Sequence, residues 1–254
     1  MPTLKPKAGA VSYRFQRYFP TLQCGHYLVT KSKRQDPVRV FFQQGDIDGA
    51  CGIHVFAAVM VIFDLAKSIA LQNMPLRKFG VPAEVWAAFQ HTFFTGVHAA
   101  ELVQLIQSLN LPLNLTLRES NEQRGLDRWV IDSLMTGQLV ALVTANAKNL
   151  KLGKHWTLAV GVEGHVTGRD TRPDTILLLD PSASQPNYKP HNSRLSVPLV
   201  GTGSRAGKSA EQLYKPVKDT SRDKPIEWLY ESDDFAAEPV RIISAVRFCR
   251  ADWF

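Results

Sequence analysis

A thiol, an imidazole and a carboxylate occur in this chain in an order that could support nucleophilic catalysis: Cys51, then His155, then Asp180. An attacking sulfur must be a thiolate near neutral pH. A helix N-terminus favours that anion, because unpaired backbone amides and aligned peptide dipoles place positive charge there. A neighbouring imidazolium favours it further, and a third polar group must hold the imidazole in one orientation. Cys51 follows Gly49 at the start of an almost continuously apolar run, and Gly49 and Gly52 leave the approach to the sulfur open. A lone cysteine more often fills core space, so the weight rests on its partners.

His155 enters the apolar run HWTLAVGVE (155–163) from a Gly-Lys turn, and Asp180 closes the run TILLLDP (175–181). Joined through the polar stretch 164–174, the two runs predict an antiparallel hairpin. The start of its first strand then lies beside the end of its second, so His155 meets Asp180. For the oxyanion, Gln43 and Gln44 are the candidates, since an amide donates a hydrogen bond without changing charge. Gln44 is preferred because it borders the turn at Gly45. His54, one turn after Cys51, reads as a packed histidine with one hydrogen bond. Its spacing with Cys51 and Asp48 matches no familiar metal-ligand pattern. No cofactor and no metal are implied.

These residues need elements to carry them. Asp48 predicts an N-cap for a long helix from about Ala50 to Ala70, buried on all sides. Its apolar run, residues 49–63, is shorter than the roughly 20 residues of a spanning helix, so no membrane span is expected. PAEVWAAFQHTF (82–93), HAAELVQLIQSLN (98–110) and DRWVIDSLMTG (127–137) read as further helices. LPLNLTLRE alternates as a half-buried strand, and QLVALVTA (138–145) and PVRIISAVRFCR (239–250) read as strands. Helices followed by antiparallel strands predict an α+β fold. The domain organisation is a single domain over 1–254, with a basic lead-in (1–40), a catalytic core (40–182), a long irregular region (183–238) and a C-terminal strand (239–254).

The net charge is +7, and residues 5–39 hold eight Lys or Arg against one acid, Asp36. Such a surface suits an acidic partner, but charge alone specifies none, and nucleic acid is not expected. GTGSRAGKS (201–209) misplaces the first glycine of a phosphate-binding loop and reads as a flexible basic segment. Three cysteines without close pair spacing argue against a disulfide framework. With no apolar signal segment at the N-terminus, a cytoplasmic, reducing location is expected.

The order QQGDIDGAC, GKHWTLAVG, ILLLDPS resembles that of papain-fold cysteine peptidases. Within them it looks like the double-glycine leader peptidases that trim bacteriocin precursors. IDSLMTGQLVALV and HAAELVQLIQSLNLP are similar to the elements those enzymes carry between Cys and His. The resemblance covers about residues 40–182. It implies a papain-like cysteine peptidase fold, with a helical half built on a long central helix followed by an antiparallel sheet. It also implies a Cys51–His155–Asp180 triad with Gln44 at the oxyanion. The sequence departs from that pattern in a longer Gln-to-Cys spacing and in a longer His-to-Asp spacing, 25 positions from His155 to Asp180. The expected activity is cleavage of a peptide or isopeptide bond in a peptide or protein substrate. Two other readings share the residues: an acyltransferase or deamidase acting as an effector or toxin, and an inactive binding module of the same fold.

Overall fold

The computed structural model describes residues 12–31, 36–46, 48–120, 125–198 and 225–251. The segment GTGSRAGKS, the basic stretch 205–224 and the first eleven residues lie outside them. In chain order the strands and helices begin with β1 (Ser12–Tyr18), β2 (Leu22–Gln23), β3 (Val29–Thr30) and β4 (Val38–Arg39). Helices α1 (Cys51–Ile62), α2 (Ser68–Gln72), α3 (Val81–Phe89) and α4 (Ala99–Ser108) follow. Then come β5 (Leu113–Glu119), α5 (Leu126–Met135), β6 (Leu139–Asn146), β7 (His155–Thr167) and β8 (Asp170–Leu179). The chain ends with β9 (Ser193–Ser196), β10 (Trp228–Ser232) and β11 (Glu238–Arg250).

Strands β6 to β11 pair antiparallel in sequence order, and β11 pairs back onto β6. That makes a closed, six-stranded up-and-down barrel. β1 extends the wall alongside the far half of β7, and β5 pairs with the far half of β11. β2, β3 and β4 form a separate small sheet.

Barrel closure explains the apolar runs. Val140, Leu142, Ala159, Ile176, Leu178, Leu195, Trp228 and Val240 come from all six strands and form one buried cluster, the barrel interior, joined by Leu126, Val130 and Leu134 of α5. Their alternate neighbours Leu139, Ala141, Leu158, Leu177 and Val246 face outward into a second cluster with α1. β6 is apolar at nearly every position because both of its faces are covered. Helix α1 is buried at every residue except His54, as a helix apolar all round must be.

The expected papain-like α+β fold, a helical half followed by an antiparallel sheet, is not the fold of this chain. Its dominant body is the closed barrel, and the helices described are few, the longest spanning 12 residues. The difference lies in the stretch read as irregular, 183–238. It supplies β9 and β10, the two short staves that join β8 to β11 and close the six-stranded ring. The predicted central helix is also shorter, because Asp64 adopts a left-handed φ of 56° and the chain restarts at α2. Between His155 and Asp180 there is no long loop: β7 and β8 run to a tight turn at Gly168, and the extra length is strand that carries β1.

Beyond the barrel wall, α5 fixes the entry to β10. Asp127 accepts hydrogen bonds from Trp228 Nε1 (2.7 Å) and the Ile226 amide (3.1 Å). Burial pushes the Asp127 carboxyl above its ordinary range, against the lowering pull of those donors. Truncating a fully buried interior side chain, Leu142→Ala, should lower the unfolding free energy by about 2–5 kcal/mol. Tyr13→Ala, at a position 66% exposed, should change it by no more than about 0.5 kcal/mol. Chemical denaturation of both variants checks the contrast.

Candidate active site

In the β7–β8 register Leu158 lies opposite Leu179. One step further, Asp180 comes beside Thr157, and His155 lies on the same face two residues away. The pair is therefore diagonal, within reach of long side chains. His155 Nε2 lies 2.7 Å from Asp180 Oδ1. An ionised carboxylate only accepts, so Nε2 carries the proton and Nδ1 is left for a second partner.

Cys51 is the neighbour whose hydrogen bonding and charge perturb that ring, and its sulfur also lies 3.9 Å from the Gly49 carbonyl. This cysteine is the first residue of α1 and is 9% exposed. The sulfur therefore sits where unpaired helical amides favour negative charge. Burial works against the charged imidazole of His155. Hydrogen bonds and charge from Asp180 and Cys51 outweigh it and push the imidazolium up to about 10. Burial alone would raise Asp180; His155, then Tyr230 and the Ser182 amide, overcome it and hold the carboxyl below its ordinary range. Cys51 comes from the helix outside the barrel wall and Asp180 from the lumen side. His155, at the first position of β7, stands on the rim where the two meet.

Asp180 is buried, and its oxygens have three donors. Besides His155, Oδ1 accepts from the Ser182 amide (2.7 Å) and Oδ2 from the Tyr230 hydroxyl (2.6 Å). Tyr230 reaches across from β10, and burial with the adjacent carboxylate raises its phenol well above the ordinary value. Asn192 holds the Asp180 backbone: its Oδ1 accepts the Asp180 amide (2.7 Å) and its Nδ2 donates to the Asp180 carbonyl (2.8 Å). Neither Tyr230 nor Asn192 was legible from the sequence, since both lie in the stretch read as irregular. A buried tyrosine between Leu229 and Glu231 was the one available signal.

Between the two glutamines, Gln44 faces the site and Gln43 is exposed. The Gln44 amide donates to the Pro181 carbonyl (2.7 Å), tying the loop before α1 to the residue after Asp180. Its side-chain Nε2 donates to the Asp48 carbonyl at 2.6 Å, and Ser182 Oγ donates to its Oε1 at 3.4 Å. The first contact fixes the amide's orientation, because the flipped form would bring two oxygens together. The second N–H of Nε2 is then the group available to an oxyanion.

Asp48 is not the helix N-cap that its position suggested. The cap residue is Ala50, without a side-chain bond. Asp48 instead braces the loop, accepting from the Gly45 amide (2.8 Å) and the Ala50 amide (3.0 Å). Gly49 and Gly52 allow neighbours to pack closely rather than keeping space open. A Cβ on Gly49 would lie 2.8 Å from the Phe94 carbonyl, and one on Gly52 would strike Val97 and approach Trp156. Trp156 Nε1 donates to the Val97 carbonyl (2.9 Å), joining that segment to the strand of His155. His54 lines a small cavity with Phe41, Phe42, Leu179 and Pro181. Its Nε2 has no hydrogen-bond partner, unlike the one bond expected, and burial lowers its pKa.

No protein-family model matches the chain, and no curated protein matches it. The chemistry of the site therefore rests on geometry. No described helix is long and apolar enough to cross a membrane.

Tyr230→Phe should cost about 1–3 kcal/mol, because one oxygen of a buried carboxylate loses its donor. Asp180 has a depressed pKa, so its pairing contributes stability above the unfolded carboxylate pKa and loses it as pH falls through the folded value. Losing the Tyr230 donor raises that folded value. Acid unfolding of the variant should begin at a higher pH than in the wild type, as read by circular dichroism.

Proposed function

We propose that this protein is a thiol hydrolase that cleaves a peptide or isopeptide bond through an acyl-enzyme on Cys51. The observation that carries the reading is one imidazole held by a buried carboxylate at 2.7 Å and perturbed by a thiol at a helix N-terminus. Such a relay is costly to build for structure alone, because it buries charge, and it matches the roles of nucleophile, acid–base and orienting group.

The Cys51 thiolate attacks the carbonyl carbon, and the C=O electron pair moves to oxygen. The Gln44 side-chain N–H and the backbone amides at the start of α1 donate to that oxyanion. As the tetrahedral species collapses, the C–N bond breaks and His155 gives its Nδ1 proton to the leaving amine. A thioester on Cys51 remains. Water then attacks it while neutral His155 takes a proton, the C–S bond breaks, and the thiolate–imidazolium pair is restored. Asp180 stays ionised and holds the ring throughout. All three cysteines are free of disulfides, which suits a reducing compartment. The order of the motif residues, similar to that of double-glycine leader peptidases, supports a peptide bond as the target.

Iodoacetamide should alkylate Cys51 faster than Cys24 or Cys249 at neutral pH, and His155→Ala should abolish that advantage; equal rates at the three thiols would sink the reading. Gln44→Ala should lower kcat on a cleaved peptide about 10²–10³-fold with KM little changed. The pH profile of kcat/KM should fall on the alkaline side as pH nears about 10, because deprotonated His155 can no longer protonate the leaving amine.

A further inference from the structure

The loop that delivers His155 carries a feature the relay does not use. Between Asn146 and His155 the chain reads AKNLKLGK, with three lysines and no acid. Lys148, Lys151 and Lys154 are exposed, and among the described residues none of them forms an ion pair. Glu238, the acid closest by chain pairing, precedes the Pro239 carbonyl that accepts the Ala147 amide at 3.0 Å, and it too leaves the lysines unpaired. Leu150 and Leu152 stand between them, 42% and 61% exposed.

This loop has a defined shape. Asn146 Oδ1 accepts from the Lys148 amide (3.0 Å) and the Asn149 amide (3.3 Å), and Asn149 Oδ1 accepts from the Lys151 amide (3.1 Å). The Asn146 amide donates to the Leu152 carbonyl at 3.2 Å, and Gly153 takes a φ of 63° to turn the chain into β7. Interleaved lysines and leucines are thus presented on a backbone whose ordering cost is already met within the fold. Leu152 in particular leaves most of its apolar side chain in water. Among the described residues no acid forms an ion pair with the three lysines, so they present charge of one sign. On the other side of Cys51, Phe94 is 72% exposed, at the segment whose Phe93 carbonyl accepts the Gly49 amide at 2.8 Å.

We infer that residues 147–154 form a substrate-docking surface for a peptide segment in which acidic residues alternate with apolar ones, laid across the rim that carries Cys51 and His155. Carboxylates of the segment pair with Lys148, Lys151 and Lys154, and its apolar side chains cover Leu150 and Leu152. Its meaning as a substrate site rests on the hydrolase reading; the binding itself does not.

The test uses the full chain and three synthetic peptides of one length, alternating leucine with glutamate, glutamine or lysine. Binding is read by fluorescence anisotropy, and access to the site by protection of Cys51 from iodoacetamide. The glutamate–leucine peptide should bind about tenfold more tightly than the glutamine–leucine one, lose that advantage at high salt, and slow Cys51 alkylation. The combined Lys148→Gln, Lys151→Gln, Lys154→Gln variant should lose the preference and the protection while its unprotected alkylation rate stays within about twofold. The corresponding Lys→Arg variant should keep both. Equal binding of the three peptides, binding without protection, or an undiminished preference in the Gln variant would overturn the docking surface. If Cys51 alkylates no faster than Cys24 and Cys249, the hydrolase reading falls instead, and the anisotropy still decides the lysine loop.

Discussion

The rest of the site depends on one buried negative charge. Asp180 lies at the rim of the barrel interior, where an unmatched carboxylate would cost several kcal/mol. The fold meets that cost with three donors drawn from three places in the chain: His155 on β7, Tyr230 on β10 and the amide of Ser182 in the turn that follows. Each donor constrains something else. The imidazole is fixed with Nε2 on the carboxylate, β10 is held against the end of β8, and the chain after Asp180 is bent toward Gln44.

The barrel and the helix solve separate parts of the chemistry. The barrel interior offers a dry, rigid seat for the carboxylate, and α1 offers a helix N-terminus for the thiol. They are divided by the strand wall, and His155, at the first position of its strand, stands where the two sides meet. The Pro181–Gln44 backbone bond and the Ser182–Gln44 side-chain contact carry the Gln44 amide into the same frame. Close approach at Gly49 and Gly52, with the Trp156–Val97 bond, presses the segment after α3 against the start of α1 and narrows the site.

Much of this could be read from residue pattern. The apolar run at 49–63 gave a buried helix headed by Cys51, and the runs at 155–163 and 175–181 gave a hairpin that brings His155 toward Asp180. Those inferences rest on local periodicity and on pairing between neighbours in sequence. Closure of the barrel does not. It needs β9 and β10, four and five residues long, set in a stretch rich in Pro, Ser and Asn whose composition argues for loop. Leu195 is the lone apolar residue of β9, and the run Trp228–Leu229–Tyr230 in β10 is too short to show a period. The same stretch hides Tyr230 and Asn192, whose roles exist only once distant strands have met. Asp48 misled for a related reason: a cap residue and a loop brace look alike until the backbone path is known.

The Tyr230–Asp180 bond spans 50 residues of sequence, and β11, which completes the ring of strands, comes later still. During synthesis Cys51, His155 and Asp180 all leave the ribosome well before Tyr230, one of the three donors to the carboxylate. A growing or truncated chain ending before residue 228 carries every reacting atom yet lacks the donor on Asp180 Oδ2 and the stave that closes the lumen around it. Long-range strand pairing is also the slow part of folding. The full set of donors around Asp180 is therefore among the last features this polypeptide acquires.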